Sequence, residues 1–138
     1  MRLFLDTSAL AKRYVAERGS EKVAALCAEA DRLVVSVICL PELVSTLSRL
    51  VRERRLSRIE YRRLKAGVVA DLADVDLCQL TREVLASVVV LLEAHPLRAM
   101  DAIHVASALE VEPDLFVSAD QRQLAAARKA GLKVVAVV

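Results

Sequence analysis

The 138-residue sequence predicts an α/β domain of three layers, a central parallel sheet of four to five strands between two layers of helices. Three observations predict it. Short apolar or β-branched runs alternate with longer stretches of helical period, and parallel strands need such helical crossovers. The chain is 56% hydrophobic and 28% charged, a balance that supports a buried core and excludes a wholly disordered chain. Its length suits one core, and no linker, internal repeat or low-complexity tract divides it, so residues 1–138 are read as one domain.

The elements follow in order. Residues 2–5 (RLFL) form the first strand, and helical periods cover 8–17 and, after the Gly19-Ser20 turn, 20–30. The second strand is 33–37 (LVVSV). A helix over 40–55 carries Pro41 in its first turn, and a helix over 57–73 opens with Ser57 and Glu60 in the S-x-x-E pattern of a capping box. A short run at 75–78 marks the optional fifth strand. Helices over 81–94 and 98–110 are separated by the break at "HPLR". The strand 115–118 (LFVS), the helix 120–130 stopped by Gly131, and the strand 133–138 (KVVAVV) complete the chain.

Composition excludes several functions. Only Gly19, Gly67 and Gly131 occur, so neither a dinucleotide fingerprint nor a phosphate-binding P-loop can be written. Aromatic residues make up 3%, which argues against stacking of bases on a sheet. Cys27, Cys39 and Cys78 lie far apart in apolar or helix-like settings, without a CxxC or Cys/His pattern, and read as small buried thiols. No run is apolar enough to span a membrane and the start lacks a signal-peptide pattern, so the expected location is the cytoplasm.

The net charge of +2 is unevenly distributed. From Arg49 to Lys65 eight basic residues face only Glu53 and Glu60, while the remainder holds 12 basic and 16 acidic residues. Such a chain can hold a cation and a polyanion in different places, although a solvated helix pair gives the same pattern.

Four acids interrupt apolar elements. Asp6 ends "LFL", Glu42 follows Pro41, Asp101 lies within "AMDAIHVASAL", and Asp120 follows "LFVSA". Asp6 or its neighbours Thr7 and Ser8 suit a helix cap, but Asp6 also suits the carboxyl end of a parallel strand, where open α/β sheets hold ligands. Asp6, Glu42 and Asp120 all lie past strand ends that share one sheet edge. Asp101, among Met100, Ala102, Ile103 and Val105, requires a positive neighbour, either Arg98 or a metal ion, because a buried unpaired carboxylate is costly. Acids without histidine or cysteine partners are the ligand chemistry of a hard divalent ion such as Mg²⁺. His95 and His104 need not take part, His104 reading as a packed, hydrogen-bonded residue.

With these residues in hand the chain resembles the PIN-domain family, and within it the VapC-type toxin ribonucleases of bacterial and archaeal toxin–antitoxin pairs. The resemblance spans the chain through "LFLDTSALAKRYVAERGS", "SVICLPELVSTLSRL", "LRAMDAIHVASALE" and "LFVSADQRQLAAARKAGLKVV" in that order. It implies a PIN-like fold whose metal pocket is built from Asp6, Glu42, Asp101 and Asp120, with Ser8 steadying the site. Ser118 stands where threonine is commoner and retains the hydroxyl.

The activity implied is Mg²⁺-dependent endoribonuclease cleavage, with Mn²⁺ able to substitute, and a 5′-phosphate product. The resemblance also implies a homodimer and a cognate antitoxin of the VapB type. Arg54 and Arg58, in the basic belt, are candidate contacts for RNA or antitoxin. Two other readings remain open from the residues: an aspartyl-type phosphatase or phosphotransferase, although "TSA" after Asp6 lacks a second acid two residues on, and a non-catalytic receiver-like or PIN-like binding module.

Overall fold

The structure, a computed structural model, describes residues 1–138. Five parallel strands form one sheet in the order β3-β2-β1-β4-β5: β1 Arg2–Leu5, β2 Arg32–Ser36, β3 Asp76–Cys78, β4 Leu115–Ser118 and β5 Val134–Ala136. The run near 75–78 thus does form a strand, at the edge beside β2. Seven helices connect the strands: α1 Thr7–Ala11, α2 Ser20–Glu29, α3 Cys39–Arg52, α4 Arg58–Leu72, α5 Arg82–Ala94, α6 Ala99–Val111 and α7 Gln121–Lys129.

Alternation along β1 sets the layers, since successive side chains of a strand point to opposite faces. Leu3 and Leu5 join a core with Ala9, Leu10, Val23, Cys39, Leu43, Leu47, Val68 and Leu72, all from α1 to α4. Phe4 points the other way, into a core with Val84, Val88, Leu91, Val105 and Leu124 from α5, α6 and α7. Phe4 and Phe116 are register partners on neighbouring strands, and their rings stack with centroids 5.8 Å apart. Burial of β1 on both faces is the reason that it reads as a continuous apolar run.

The helix starts follow local chemistry. Ser57 and Glu60 make the reciprocal bonds of a capping box on α4, Thr81 caps α5, and Gly131 at φ +101° ends the turn after α7. The first helix departs from the sequence expectation of 8–17 by stopping at Ala11. Lys12 is nearly buried and its ammonium reaches the carbonyl of Arg18 at 2.6 Å and Glu17 at 3.2 Å, so residues 12–18 fold back as a turn. Gly19 follows at φ +92°, where a Cβ would lie 2.3 Å from the carbonyl oxygen of Val137; only glycine fits beneath the C-terminal segment. The last strand is shorter than 133–138, because pairing with β4 extends only from Val134 to Ala136.

The order of the sheet determines where a ligand can sit. From β1 the chain moves outward through β2 to β3, and from β4 it moves the opposite way to β5. The strands β1 and β4 flank the point of reversal, and their carboxyl ends open the crevice characteristic of such sheets.

Candidate active site

Asp6 stands at the carboxyl end of β1 and is fully buried. It is the N-cap of α1, accepting from the N–H of Ala9 at 2.9 Å. The hydroxyl of Ser8 lies 2.8 Å from both carboxylate oxygens, and that of Ser118, at the end of β4, donates to Oδ2 at 2.7 Å. The two serine oxygens accept in turn, Ser8 from the N–H of Ala119 and Ser118 from the N–H of Asp120. Asp6 therefore ties the ends of β1 and β4 together across the reversal point. Burial raises its pKa above the ordinary range, against the opposing influence of His104 and these hydrogen bonds. The cap and the strand-end position, alternatives from sequence, are one arrangement.

Glu42 lies in the first turn of α3, where a negative side chain is favoured by the helix dipole. Its Oε1 accepts from the Thr7 hydroxyl at 2.6 Å and from Nε2–H of buried His104 at 2.5 Å. Burial disfavours its charge, but His104 and Thr7 outweigh that cost and hold the carboxyl below its ordinary range. His104 is thus the packed, hydrogen-bonded residue expected from its apolar helix, and its partner is a site carboxylate.

Asp101, in the first turn of α6, has one side-chain partner, Gln123 of α7, whose Nε2–H donates at 3.0 Å. No side-chain cation pairs with it, so Arg98 is not the positive neighbour expected, and the Gln123 amide is its protein partner. Burial first, and then the negative charge of Asp120, push its pKa up, and Glu42 adds to the effect. Asp120 caps α7, accepting from the N–H of Gln123 at 3.0 Å.

Glu42, Asp101 and Asp120 line a single cavity of about 770 Å³ together with Arg98, Ala99, Met100, Ala119, Gln121 and Arg122. Asp6 lies behind this wall rather than on it, sealed by its hydroxyl partners. No three His, Cys, Asp or Glu side chains stand together in an arrangement that would hold a metal ion. The donor set nevertheless fits a hard divalent cation in its chemistry, since it consists of carboxylate oxygens from separate elements and includes, in Asp101, an acid raised by burial first and then by the charge of Asp120. Arg58 lies on the α3–α4 hairpin, away from these lining residues, and Arg54 lies in its turn at φ +59°.

Thr7, His104 and Gln123 complete the polar web and were not foreseen as site partners. A hydroxyl next to Asp6 and a histidine three residues after Asp101 were the available signals for the first two. Nothing local marks Gln123.

The model of the PIN domain matches residues 3–129. The chain belongs to the PIN-domain family. Within it, the chain is 32% identical over 134 residues to "Ribonuclease VapC45" and "Ribonuclease VapC49", both from Mycobacterium tuberculosis, covering 96% of its own length and 93% of theirs. Among solved structures, the PIN domain resembles VapC20 of M. tuberculosis, described as a sarcin-ricin loop cleaving toxin, with a TM-score of 0.69 at 18% identity over 94% of this chain and 95% of that one. It also resembles VapBC2 of Rickettsia felis bound to a promoter DNA fragment, with a TM-score of 0.71 at 13% identity over 99% and 98%. These structural likenesses establish the parallel-sheet fold. The three cysteines are free thiols, and burial first of all pushes that of Cys39 up to about 12. No helix is long and apolar enough to cross a membrane.

Proposed function

We propose that this PIN domain is an endoribonuclease, the toxin of a toxin–antitoxin pair, that hydrolyses RNA with a divalent cation, Mg²⁺ or in its place Mn²⁺, bound at Glu42, Asp101 and Asp120 and supported by Asp6. The observation that carries the reading is the lining of one cavity, at the reversal point of the sheet, by three carboxylates from three different elements, with Asp101 lacking a cationic partner. The relatives named as ribonucleases, matched over 96% of this chain and 93% of their own length, support the same chemistry. Family resemblance supports a VapB-type antitoxin and a second copy of the chain as partners, and an RNA substrate suits a cytoplasmic location.

When bound, the cation supplies Lewis acidity, lowering the pKa of a coordinated water and offsetting the charge of the scissile phosphate. The rest falls to the chain. Thr7 and His104 keep Glu42 ionised, so a charged ligand is ready without prior loss of a proton. Asp101 is released by breaking one hydrogen bond to Gln123, a net cost of about 1 kcal/mol. Asp6, with Ser8 and Ser118, fixes the backbone that presents Ala119 and Asp120 to the cavity. Arg98 and Arg122 line the same cavity without an ion pair, and guanidinium groups suit the non-bridging oxygens of a phosphodiester. In-line displacement by water breaks the bond from phosphorus to the 3′ oxygen and leaves a 5′-phosphate.

The test is cleavage of total RNA by wild type and Asp101→Asn with Mg²⁺, with Mn²⁺ and in chelator, with cut sites mapped. Metal-dependent cuts at defined sites by wild type alone are expected. Absence of cleavage under every condition, or equal cleavage by the variant, overturns the reading.

A further inference from the structure

The hairpin of α3 and α4 carries a second cavity, of about 340 Å³, lined by Ser48, Val51, Arg52, Arg58, Tyr61 and Arg62. No carboxylate lines it. None of its three guanidinium groups forms an ion pair; nearby Arg55 takes Glu53, and Glu60 is engaged by the N-cap Ser57.

Local helix stability accounts for Arg52, in the last turn of α3, but not for Arg58 and Arg62. Arg58 is the first residue of α4, where the helix dipole disfavours a positive charge. Arg62 follows it at i+4, the spacing at which like charges on a helix repel. Arg52 adds a third positive charge from α3 across the cavity. Arg58 opposes the dipole of its own helix and the three guanidinium groups crowd one space, so the trio is stabilised when an anion fills the space between them, and the hydroxyl groups of Ser48 and Tyr61 supply further donors.

We propose that this cavity binds the phosphodiester backbone of the RNA substrate at a point remote from the cut. The inference rests on the ribonuclease reading. RNA is favoured as the ligand because Arg49, Arg55, Arg63 and Lys65 extend the same basic segment beyond the cavity, which suits a ligand with successive charges, whereas the rest of the chain has more acidic than basic residues. Arg52 lies ten residues along α3 from Glu42, about 15 Å at the rise of an α-helix, a separation that a few nucleotides span. Affinity for the RNA backbone is thus added away from the acidic cavity, beside what Arg98 and Arg122 supply within it.

The experiment measures binding of a labelled single-stranded RNA in chelator, so that cutting plays no part, as a function of salt. Wild type is compared with Arg52→Gln/Arg58→Gln/Arg62→Gln and with a control, Arg128→Gln/Lys129→Gln/Lys133→Gln, that removes the same charge from another exposed part of the chain. The cavity variant is expected to bind on the order of tenfold more weakly and to lose about 2 from the magnitude of its log–log salt slope, the amount that three phosphate contacts on a single strand contribute. The control should retain the wild-type slope.

Equal losses in both variants reduce the effect to net charge and overturn the proposal. So does unchanged RNA binding by the cavity variant, including the case in which only its affinity for antitoxin falls, which would make the cavity a peptide site. Failure of wild type to bind RNA overturns it as well. If wild type binds RNA with the expected dependence on the trio yet never cuts it with metal, the ribonuclease reading fails while the cavity stands. Thermal melts accompany each variant, and the single substitutions at exposed Arg52 and Arg62 provide the same comparison should the triple variant fail to fold.

Discussion

Two carboxylates of the site, Asp6 and Asp101, share a raised pKa with burial as its leading cause, yet they are built in opposite ways. Asp6 is fully enclosed and accepts from Ser8, Ala9 and Ser118, joining β1, α1 and β4. Asp101 stands on the wall of an open cavity with one amide partner and two acids contributing to its shift. The difference lies in how each carboxylate is held: Asp6 by a closed set of donors, Asp101 by a single amide beside other acids. On the proposed reading, loss of Asp6 should weaken the fold and loss of Asp101 should weaken cation binding.

The largest test of that contrast is truncation. Asp6→Ala removes a cap, a loss of about 1 kcal/mol, and leaves buried donors without an acceptor at about 1–3 kcal/mol each, so a destabilisation of about 3 kcal/mol is expected in denaturant unfolding. Asp101→Ala should remain within about 1 kcal/mol of wild type, since only one hydrogen bond is lost. Both should abolish RNA cleavage. Equal destabilisation by the two would break the comparison.

The next effect is metal-dependent. Mn²⁺ at about a hundred times its dissociation constant should add about 2.7 kcal/mol to wild type. Asp101→Asn should melt at or above the wild-type temperature in chelator, because it removes one of the charges repelling Asp120 and Glu42, and should lose most of the gain from Mn²⁺. A mutant less stable in chelator that gains as much from Mn²⁺ as wild type would make Asp101 a structural helix residue.

Dependence on pH sharpens the contrast with Glu42. The folded pKa of Asp6 and Asp101 lies above the ordinary value of 3.8, so the folded state retains protons that the unfolded state has lost. Their contribution is therefore most favourable below 3.8 and declines as pH rises through the folded values. Glu42 has the reverse sign: its contribution is complete above 4.5 and is lost as pH falls through its lowered folded value. In chelator, Asp101→Asn should lessen the decline of wild-type stability above the ordinary carboxylate range. Glu42→Gln should instead lower neutral stability and flatten the acid limb. Parallel stability curves for all three proteins would refute the assignment of these opposing contributions.

How much of this was legible in sequence depends on the reach of each signal. The strand runs, apart from the last, which is shorter than its sequence run, the Ser57–Glu60 box and the Gly131 stop are local and appear within a residue of where expected. The early end of α1 was hidden, since Tyr14 and Val15 continue an apolar period while the turn is made by Lys12 reaching Arg18 and by Gly19 beneath Val137. The same holds in the site. Strand ends placed Asp6, Glu42 and Asp120 on one edge without any knowledge of packing, whereas the partner of Asp101 required knowing that α7 packs beside α6.

The smallest expected effect concerns that partner. Gln123 is almost wholly buried; its Nε2–H serves Asp101, but its carbonyl oxygen has no partner. Gln123→Met keeps similar bulk and removes the useful donor and the orphaned acceptor together, so the two contributions largely offset and stability should change by less than about 1 kcal/mol. The charge on Asp101 should respond more clearly. Loss of the amide donor withdraws one of the influences that lower its pKa and leaves burial and Asp120 less opposed, so the carboxyl should titrate at higher pH than in wild type. An NMR titration of the Asp101 side-chain carbon in chelator reads that shift directly. With metal the two proteins should converge, because an acid engaged by a cation no longer depends on Gln123. An unchanged Asp101 titration together with a large loss of stability would mean that Gln123 acts as core packing, and that the poised state of Asp101 is set by burial and its acidic neighbours alone.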